Sequence, residues 1–486
     1  MFSRKKTPKL LGMTAAFVAV IIMLSAPAIA MAGAADNIPL SRHPLLMMPL
    51  GIIFLVAALV LTVKGIHSTK KLRRKKHYGS FHGTGWRSAA QIRSEFKSWL
   101  PGFMQPFLTW LMGRPYPGQK PFIPIKHWWL TVLTFMAIWV SGIASACWAI
   151  NASVVALFVL PVSLLLTVCG ARALQVHICH QGIHKNLSGK WLVVRSRDKK
   201  SISLLDLILV EVISTMIVVQ NFDGYEHDHD GIHHPDLASE DDPDFKFIVE
   251  VMNLKPWLSK EENRKRFFNA LCSPKIHGLF LLGRLYANYV GSPLYRRLMS
   301  FGWLLIVGAA VALSGMWLEF GFVTFCMTVP YSMSAMAQFF TEHFWTEKRK
   351  PGQSARQHHD NKLLNRYLCD PLPEASVWTL GGAASWTRWW VRLFFVHVPL
   401  RLGVIPADLP VHGSHHIWPL HKGWTDSIYT FHRLAEETGR APREIAGSFG
   451  VILDQTLEAF SHSCPPPAKD TPTLTTAEAM KIVGWM

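Results

Sequence analysis

Five stretches of the chain are apolar over a length that suits a bilayer, whose hydrocarbon core takes roughly 20 largely uncharged residues of helix. They are Leu45 to Val63, Trp128 to Ile150, Ala152 to Ala171, Met299 to Leu318 and Phe320 to Thr341. The last four form two pairs, each joined by one polar residue: Asn151 in the first and Glu319 in the second. Links that short predict two helical hairpins, each with both ends on one side of the membrane. Nearer the N-terminus, Leu10 to Leu24 follows Arg4, Lys5, Lys6 and Lys9 and precedes Ala28-Ile29-Ala30. That pattern predicts a signal peptide or, preferred here, an uncleaved signal anchor, and either places residue 33 outside.

Two further apolar stretches are interrupted by charge. Ser203 to Val219 carries Asp206 and Glu211, and Ser385 to Ile405 carries Arg388, Arg392 and Arg401. Charge is costly in hydrocarbon, so both are predicted as interfacial or core-packed helices. Pro465, Pro466, Pro467 and Pro472 predict a loose tail over 464–474. The predicted fold is an all-α integral membrane protein. Two transmembrane helical hairpins carry a cytoplasmic histidine-rich domain, with one or two extra N-terminal spans.

Charge supplies the orientation. The 486 residues include 50 Lys+Arg and 32 Asp+Glu, a formal net charge of +18. Lys64, Lys70, Lys71, Arg73, Arg74, Lys75 and Lys76 follow Val63 directly, and Arg87, Arg93 and Lys97 come soon after. Arg296 and Arg297 precede the second hairpin, while Lys348, Arg349 and Lys350 follow it. Basic segments beside spans stay cytoplasmic, so every long connection is predicted to be cytoplasmic. The basic excess then needs no nucleic acid to explain it. Half the residues are hydrophobic and 17% are charged, which excludes a disordered chain. Seven scattered cysteines without a C-x-x-C pair support neither a disulfide framework nor a cysteine zinc ribbon.

The 23 histidines are unevenly distributed. His180-Gln-Gly-Ile-His184 follows the span ending at Ala171; if that helix continues, i and i+4 share a face and both imidazoles can approach one metal. His177, one turn earlier, extends or caps the pair. A second cluster, Glu226 to His234, contains His229-x-x-x-His233-His234, with Asp228, Asp230 and Asp236 as acceptors able to orient ring N–H groups. The third is His412-Gly-Ser-His415-His416. Between the second and third clusters Glu342-His343 follows the last span, while His358-His359 and His397 read as structural. Each group alone also suits a solvated loop or a packed helix. Together, at the mouths of two hairpins, they exceed what one tetrahedral zinc needs and point to two metal ions. Imidazole suits iron, zinc, copper or nickel, so ligand type alone does not choose among them.

The order H-x-x-x-H, H-x-x-x-H-H, H-x-x-H-H with two membrane hairpins resembles the membrane fatty acid desaturase and hydroxylase superfamily. His412-Gly-Ser-His415-His416-Ile-Trp-Pro is similar to that family's last box, Asp241-Asp242-Pro243-Asp244 continues the second box in a familiar way, and Glu342-His343 resembles the additional ligand region of this superfamily, its alkane-hydroxylase branch included. The resemblance covers about residues 125–425. It departs in the first box, where Gln181-Gly182-Ile183 lacks an acidic residue often found there, and in the long stretch from His343 to His412, which leaves His358, His359 or His397 as substitutes for either.

The resemblance implies two iron ions held by His180, His184, His229, His233, His234, His343, His412, His415 and His416. With O2 as co-substrate they would remove hydrogen from an unactivated C–H bond of a fatty acyl chain. A second abstraction gives a double bond and is the favoured outcome; return of oxygen gives an alcohol, so a hydroxylase or an alkene-forming oxidase is the alternative. No His-Pro-Gly-Gly haem motif is present, so electrons are expected from a separate ferredoxin, cytochrome or reductase. Residues 1–35 then form the signal segment, 36–124 an added span and basic cytoplasmic segment, 125–425 the di-iron domain, and 426–486 a C-terminal cytoplasmic helix and tail. A His-rich metal transporter is a third reading, disfavoured because the four hairpin stretches contain no His, Asp, Glu, Lys or Arg except at the Glu319 link. A basic scaffold on anionic lipid explains Lys70–Lys76 but not the histidines.

Overall fold

The computed structural model describes residues 88–188, 193–195, 201–345, 352–463 and 475–484. The signal segment, the stretch Leu45 to Val63, most of the basic run and the proline tail lie outside the described residues. The described chain is mostly helical, with one short parallel strand pair (Leu364–Leu368 with Arg443–Gly447) and one antiparallel pair (Val193–Arg195 with Ser201–Ser203).

Among the described residues four helical segments are long and apolar enough to cross a membrane: Trp128–Asn151, Val154–Ile183, Leu294–Ser314 and Trp317–Glu342. We label Trp128–Asn151 α1, the regular part of the second segment (Leu160–Ala173) α2, Leu294–Ser314 α3 and Trp317–Glu342 α4. α1 and α2 pack backbone to backbone. A Cβ on Gly142 would lie 2.4 Å from the Thr167 nitrogen, and one on Gly170 would lie 2.5 Å from that of Trp139. Small residues allow such close approach where the hydrophobic effect cannot drive helices together.

Two predicted boundaries move. The second span does not stop at Ala171; a π-helical turn, Leu174–Cys179, carries it on to Ile183, so Arg172, His177 and His180 belong to the same continuous helix. The second link is not Glu319. Gly315 closes α3 in the left-handed conformation at φ 72°, which glycine adopts without steric cost, and Glu319 sits in the first turn of α4. There its carboxylate accepts from Asn151 Nδ2 at 2.5 Å, tying together the two links predicted from polarity alone.

The charged apolar stretches are amphipathic helices. Leu204–Met216 buries Val210 and Ile213 and exposes Ile208 and Val212. Its Glu211 meets Arg296, which lies within α3 and not before it, at 2.9 Å. Arg296 also donates to Asn288 Oδ1 and the Val219 carbonyl. Leu380–Arg392 continues through a π-helical turn into Val398–Gly403, where buried Arg401 donates to the carbonyls of Trp110, Ile405 and Ala407.

The flanking segments share cores with the central region. Phe96, on Ala89–Trp99, meets Trp389 edge to face, while helix Phe449–Phe460 packs Phe460 against Phe245, Phe340 and Trp345.

Asp370 anchors one of these junctions, accepting from Arg392 Nε at 2.6 Å and lying 2.8 Å from His397 Nε2. Burial opposes its charge, but His397 and Arg392 prevail and hold the carboxyl well below the usual carboxylate range. Its stabilising contribution is therefore complete above the unfolded value near pH 4 and is lost as pH falls below it. Asp370→Asn should cost ~2 kcal/mol and flatten the fall in melting temperature of the detergent-solubilised protein on acidification; an unchanged acid limb would remove Asp370 from this role.

Candidate metal centre

Each histidine group is placed by a different local device. His180 and His184 stand at the C-terminal end of the helix prolonged from α2, held against Val210 by Gly182, whose Cβ would come 2.3 Å from Val210 Cγ2. His229–His233 is itself a π-helical turn following helix Phe222–Asp228. Glu342 ends α4, and His343 leaves it in extended conformation, paired with Leu363. His412–Ile417 is a short helix lying on strand Leu364–Leu368, fastened by Asn365, whose Nδ2 donates to Ser414 Oγ at 2.9 Å.

The nine imidazoles form two convergent groups. His180, His184, His229, His234 and His415 bring five ring nitrogens within 4.8 Å of one another; His233, His343, His412 and His416 do the same with four. In the first group successive Nε2 separations are 3.0 Å (His415–His184), 3.2 Å (His184–His180), 2.8 Å (His180–His229) and 3.0 Å (His229–His234). In the second, His233–His343 is 3.2 Å and His412–His416 is 2.9 Å.

Hydrogen bonding alone does not satisfy this arrangement. An imidazole nitrogen carries either one proton or one lone pair, yet the Nε2 atoms of His184, His180 and His229 each face two others. A shared cation satisfies them all. Nitrogens bound at about 2.1 Å stand about 3.0 Å apart at a right angle and about 3.4 Å apart at a tetrahedral one. The observed spacings match the right-angle value.

Protonation agrees. Burial, reinforced by neighbouring rings, holds His229, His234, His343, His412, His415 and His416 well below the ordinary imidazole value, leaving the neutral form that binds metal. His233 differs: burial opposes its charge, but Asp242 and Asp244 raise it to about 9. Both carboxylates lie on its Nδ1 side, at 3.0 and 3.3 Å, and so aim Nε2 at the second group.

Comparison with protein families, with curated proteins and with solved structures finds no match. The site therefore rests on its own geometry, and that geometry shows buried clusters able to hold metal ions.

Of the three acceptors expected to orient rings, Asp230 does so, 2.8 Å from His184 Nδ1. Asp228 accepts from Gln220, and Asp236 is exposed. His177 belongs to neither group; its Nδ1 lies 2.8 Å from Asp408 Oδ1 and its ring meets Trp424 edge to face. His343 and His412 keep their places, because His397 is held by Asp370 and His358 and His359 lie on helix Ala355–Asp360 outside both groups. Sequence reasoning assigned no role to Asp242, Asp244 or Asp408. Asp242 and Asp244 lie in the acidic continuation of the second box, and Asp242 also caps the helix that follows, its side chain accepting from the Asp244 nitrogen. A small cavity joins the groups, lined by His180, His229, His233 and His412 together with Tyr225, Gln338, Val176, Phe339 and Leu409.

Asp230→Ala removes the acceptor that orients His184. Loss of such a partner costs about 10–100-fold in metal affinity, so metal retained against a competing chelator should fall by that factor with the fold intact. Wild-type retention would exclude this role.

Proposed function

We propose that this protein is a membrane-bound, O2-dependent di-iron oxidoreductase that introduces a double bond into a fatty acyl chain. The observation that carries the reading is the division of nine imidazoles into convergent groups of five and four. Two groups provide for two ions. Five donors at right-angle spacing exceed a tetrahedral zinc site and suit an iron of higher coordination number. Two irons and O2 supply the oxidising power that removal of hydrogen from an unactivated C–H bond requires.

The rest is the work of the chain. Asp230, Asp242 and Asp244 orient ligand rings. The cavity between the groups presents Val176, Phe339 and Leu409 as an apolar wall, and the first two belong to membrane-length helices, the side from which a lipid-dissolved acyl chain arrives. Holding one carbon of that chain still against the metal pair selects the product. With the basic segments inside, the centre faces the cytoplasm, where a separate ferredoxin, cytochrome or reductase delivers electrons.

The test is metal and product analysis of the purified full-length protein. About two irons per chain and a product lacking two hydrogens are expected. A product gaining one oxygen would assign hydroxylation instead. An active preparation containing zinc alone would overturn the di-iron reading.

A further inference from the structure

Tyr225 shares the cavity between the two imidazole groups, beside His180 and His229 of the larger and His233 and His412 of the smaller. Only 9% of its surface is exposed, yet its hydroxyl makes no hydrogen bond to any described residue. A buried tyrosine hydroxyl ordinarily finds a partner. The ring is held by its surroundings instead. Tyr225 N donates to the Asn221 carbonyl at 3.0 Å, in the first turn of helix Phe222–Asp228. The ring centroid lies 5.6 Å from that of His229 and 6.5 Å from that of His180, and the side chain packs in one core with Ile178, Cys179 and Phe222. Packing of the ring, with no hydrogen bond, sets where the hydroxyl points.

The other uncharged polar side chains of the wall are engaged with protein. Gln175 Oε1 accepts from Arg172 at 2.6 Å and from the Tyr331 hydroxyl. Gln338 accepts from Arg172 and donates to Glu342 at 2.9 Å. Asp244 meets His233 through Oδ2, and its Oδ1 has no partner, but a carboxylate oxygen offers no proton. A phenol keeps its proton at neutral pH, so Tyr225 brings an unused donor to a cavity bounded by both imidazole groups. A hydrocarbon chain has nothing to accept it. O2 does, once it draws electron density from the metal pair, because an acceptor strengthens as it gains negative charge. A donor fixed in advance where charge will develop needs no reorganisation when the charge appears.

We propose that Tyr225 is a catalytic residue whose hydroxyl donates a hydrogen bond to O2 in the cavity between the two groups. The inference rests on the di-iron reading and deepens it by assigning the O2 subsite. Val176, Phe339 and Leu409 receive the acyl chain on the apolar part of the wall, and the phenol receives the oxidant.

The test uses azide, a small anion with an infrared-active stretch, on full-length iron-loaded protein in detergent. Wild type should bind azide, and the stretch should shift when H2O is replaced by D2O, since the phenol proton exchanges. Tyr225→Phe keeps the ring and removes the oxygen, so iron content should stay at about two per chain. Azide should then bind about 10-fold more weakly, as expected for loss of one hydrogen bond to a charged group, and the isotope shift should vanish. Two irons with wild-type azide affinity, or with a persisting isotope shift, in this variant would overturn the proposal and leave the di-iron reading standing. So would a wild type that holds two irons but binds no azide or shows no isotope shift, a result that needs no folded variant. Wild type without iron would overturn the di-iron reading, and this inference with it.

Discussion

His415→Ala and His233→Ala are each expected to abolish turnover and lower bound metal while the protein still inserts. His415 Nε2 lies 3.0 Å from His184 in the five-membered group, and His233 Nε2 lies 3.2 Å from His343 in the four-membered one. Loss of a partner that only orients a ligand already costs 10–100-fold, so loss of a ligand should lower activity by more than ~100-fold. Neither residue lies in a membrane-length helix, so insertion is untouched. The check is product yield beside iron content, with membrane fractionation showing that the variant reached the bilayer. Full turnover with intact metal would remove the residue from the ligand set. Combining the two should add little, since either loss disables the pair.

Gly413→Ala should be nearly as severe, although glycine contributes no donor. A Cβ there would lie 2.6 Å from the nitrogen, 2.7 Å from the carbonyl carbon and 2.8 Å from the oxygen of Leu364. These are backbone atoms of a paired strand, which cannot turn aside as a flexible side chain would. The helix bearing His412, His415 and His416 must move away instead. Because it serves both groups, a shift of about 1 Å, which can cost ~100-fold in rate, should weaken both ions together. Iron content and activity should fall in parallel. Gly302→Ala and Gly308→Ala meet nothing within 4 Å and should behave as wild type. A fully active Gly413→Ala would show that the strand yields.

The histidine positions and four of the apolar spans are written in local spacing, and the sequence reads them without help from tertiary structure. The partition of the imidazoles is not local. From i,i+4 spacing His229 and His233 should share a face, yet they serve different groups. The π-helical turn His229–His233 widens the helix by one residue, so His229 instead meets His234, at i+5, with Nε2 atoms 3.0 Å apart. Nothing in the composition of that turn announces it. The edges of the spans differ from the linear pattern for another reason. Charge marks a helix end in that pattern, but Arg296 is satisfied by Glu211 and Asn288 inside the fold, and Glu319 by Asn151. Asp242, Asp244 and Asp408 act on rings brought to them by folding, a relation that linear spacing does not encode.

α3 has a different bearing on the molecule. Only 6% of its most apolar window is buried within the protein, and Leu298, Leu304, Leu305, Ile306 and Leu313 face outward. At 1.5 Å per residue, its 21 residues span about 32 Å, close to the hydrocarbon thickness of a bilayer. Its polar fastening is concentrated near one end, where Arg296 meets Glu211 and Asn288. Hydrophobic mismatch in a thinner or thicker bilayer should then be taken up by tilt of this helix about that end, with the histidine groups, carried by other segments, expected to keep their spacing.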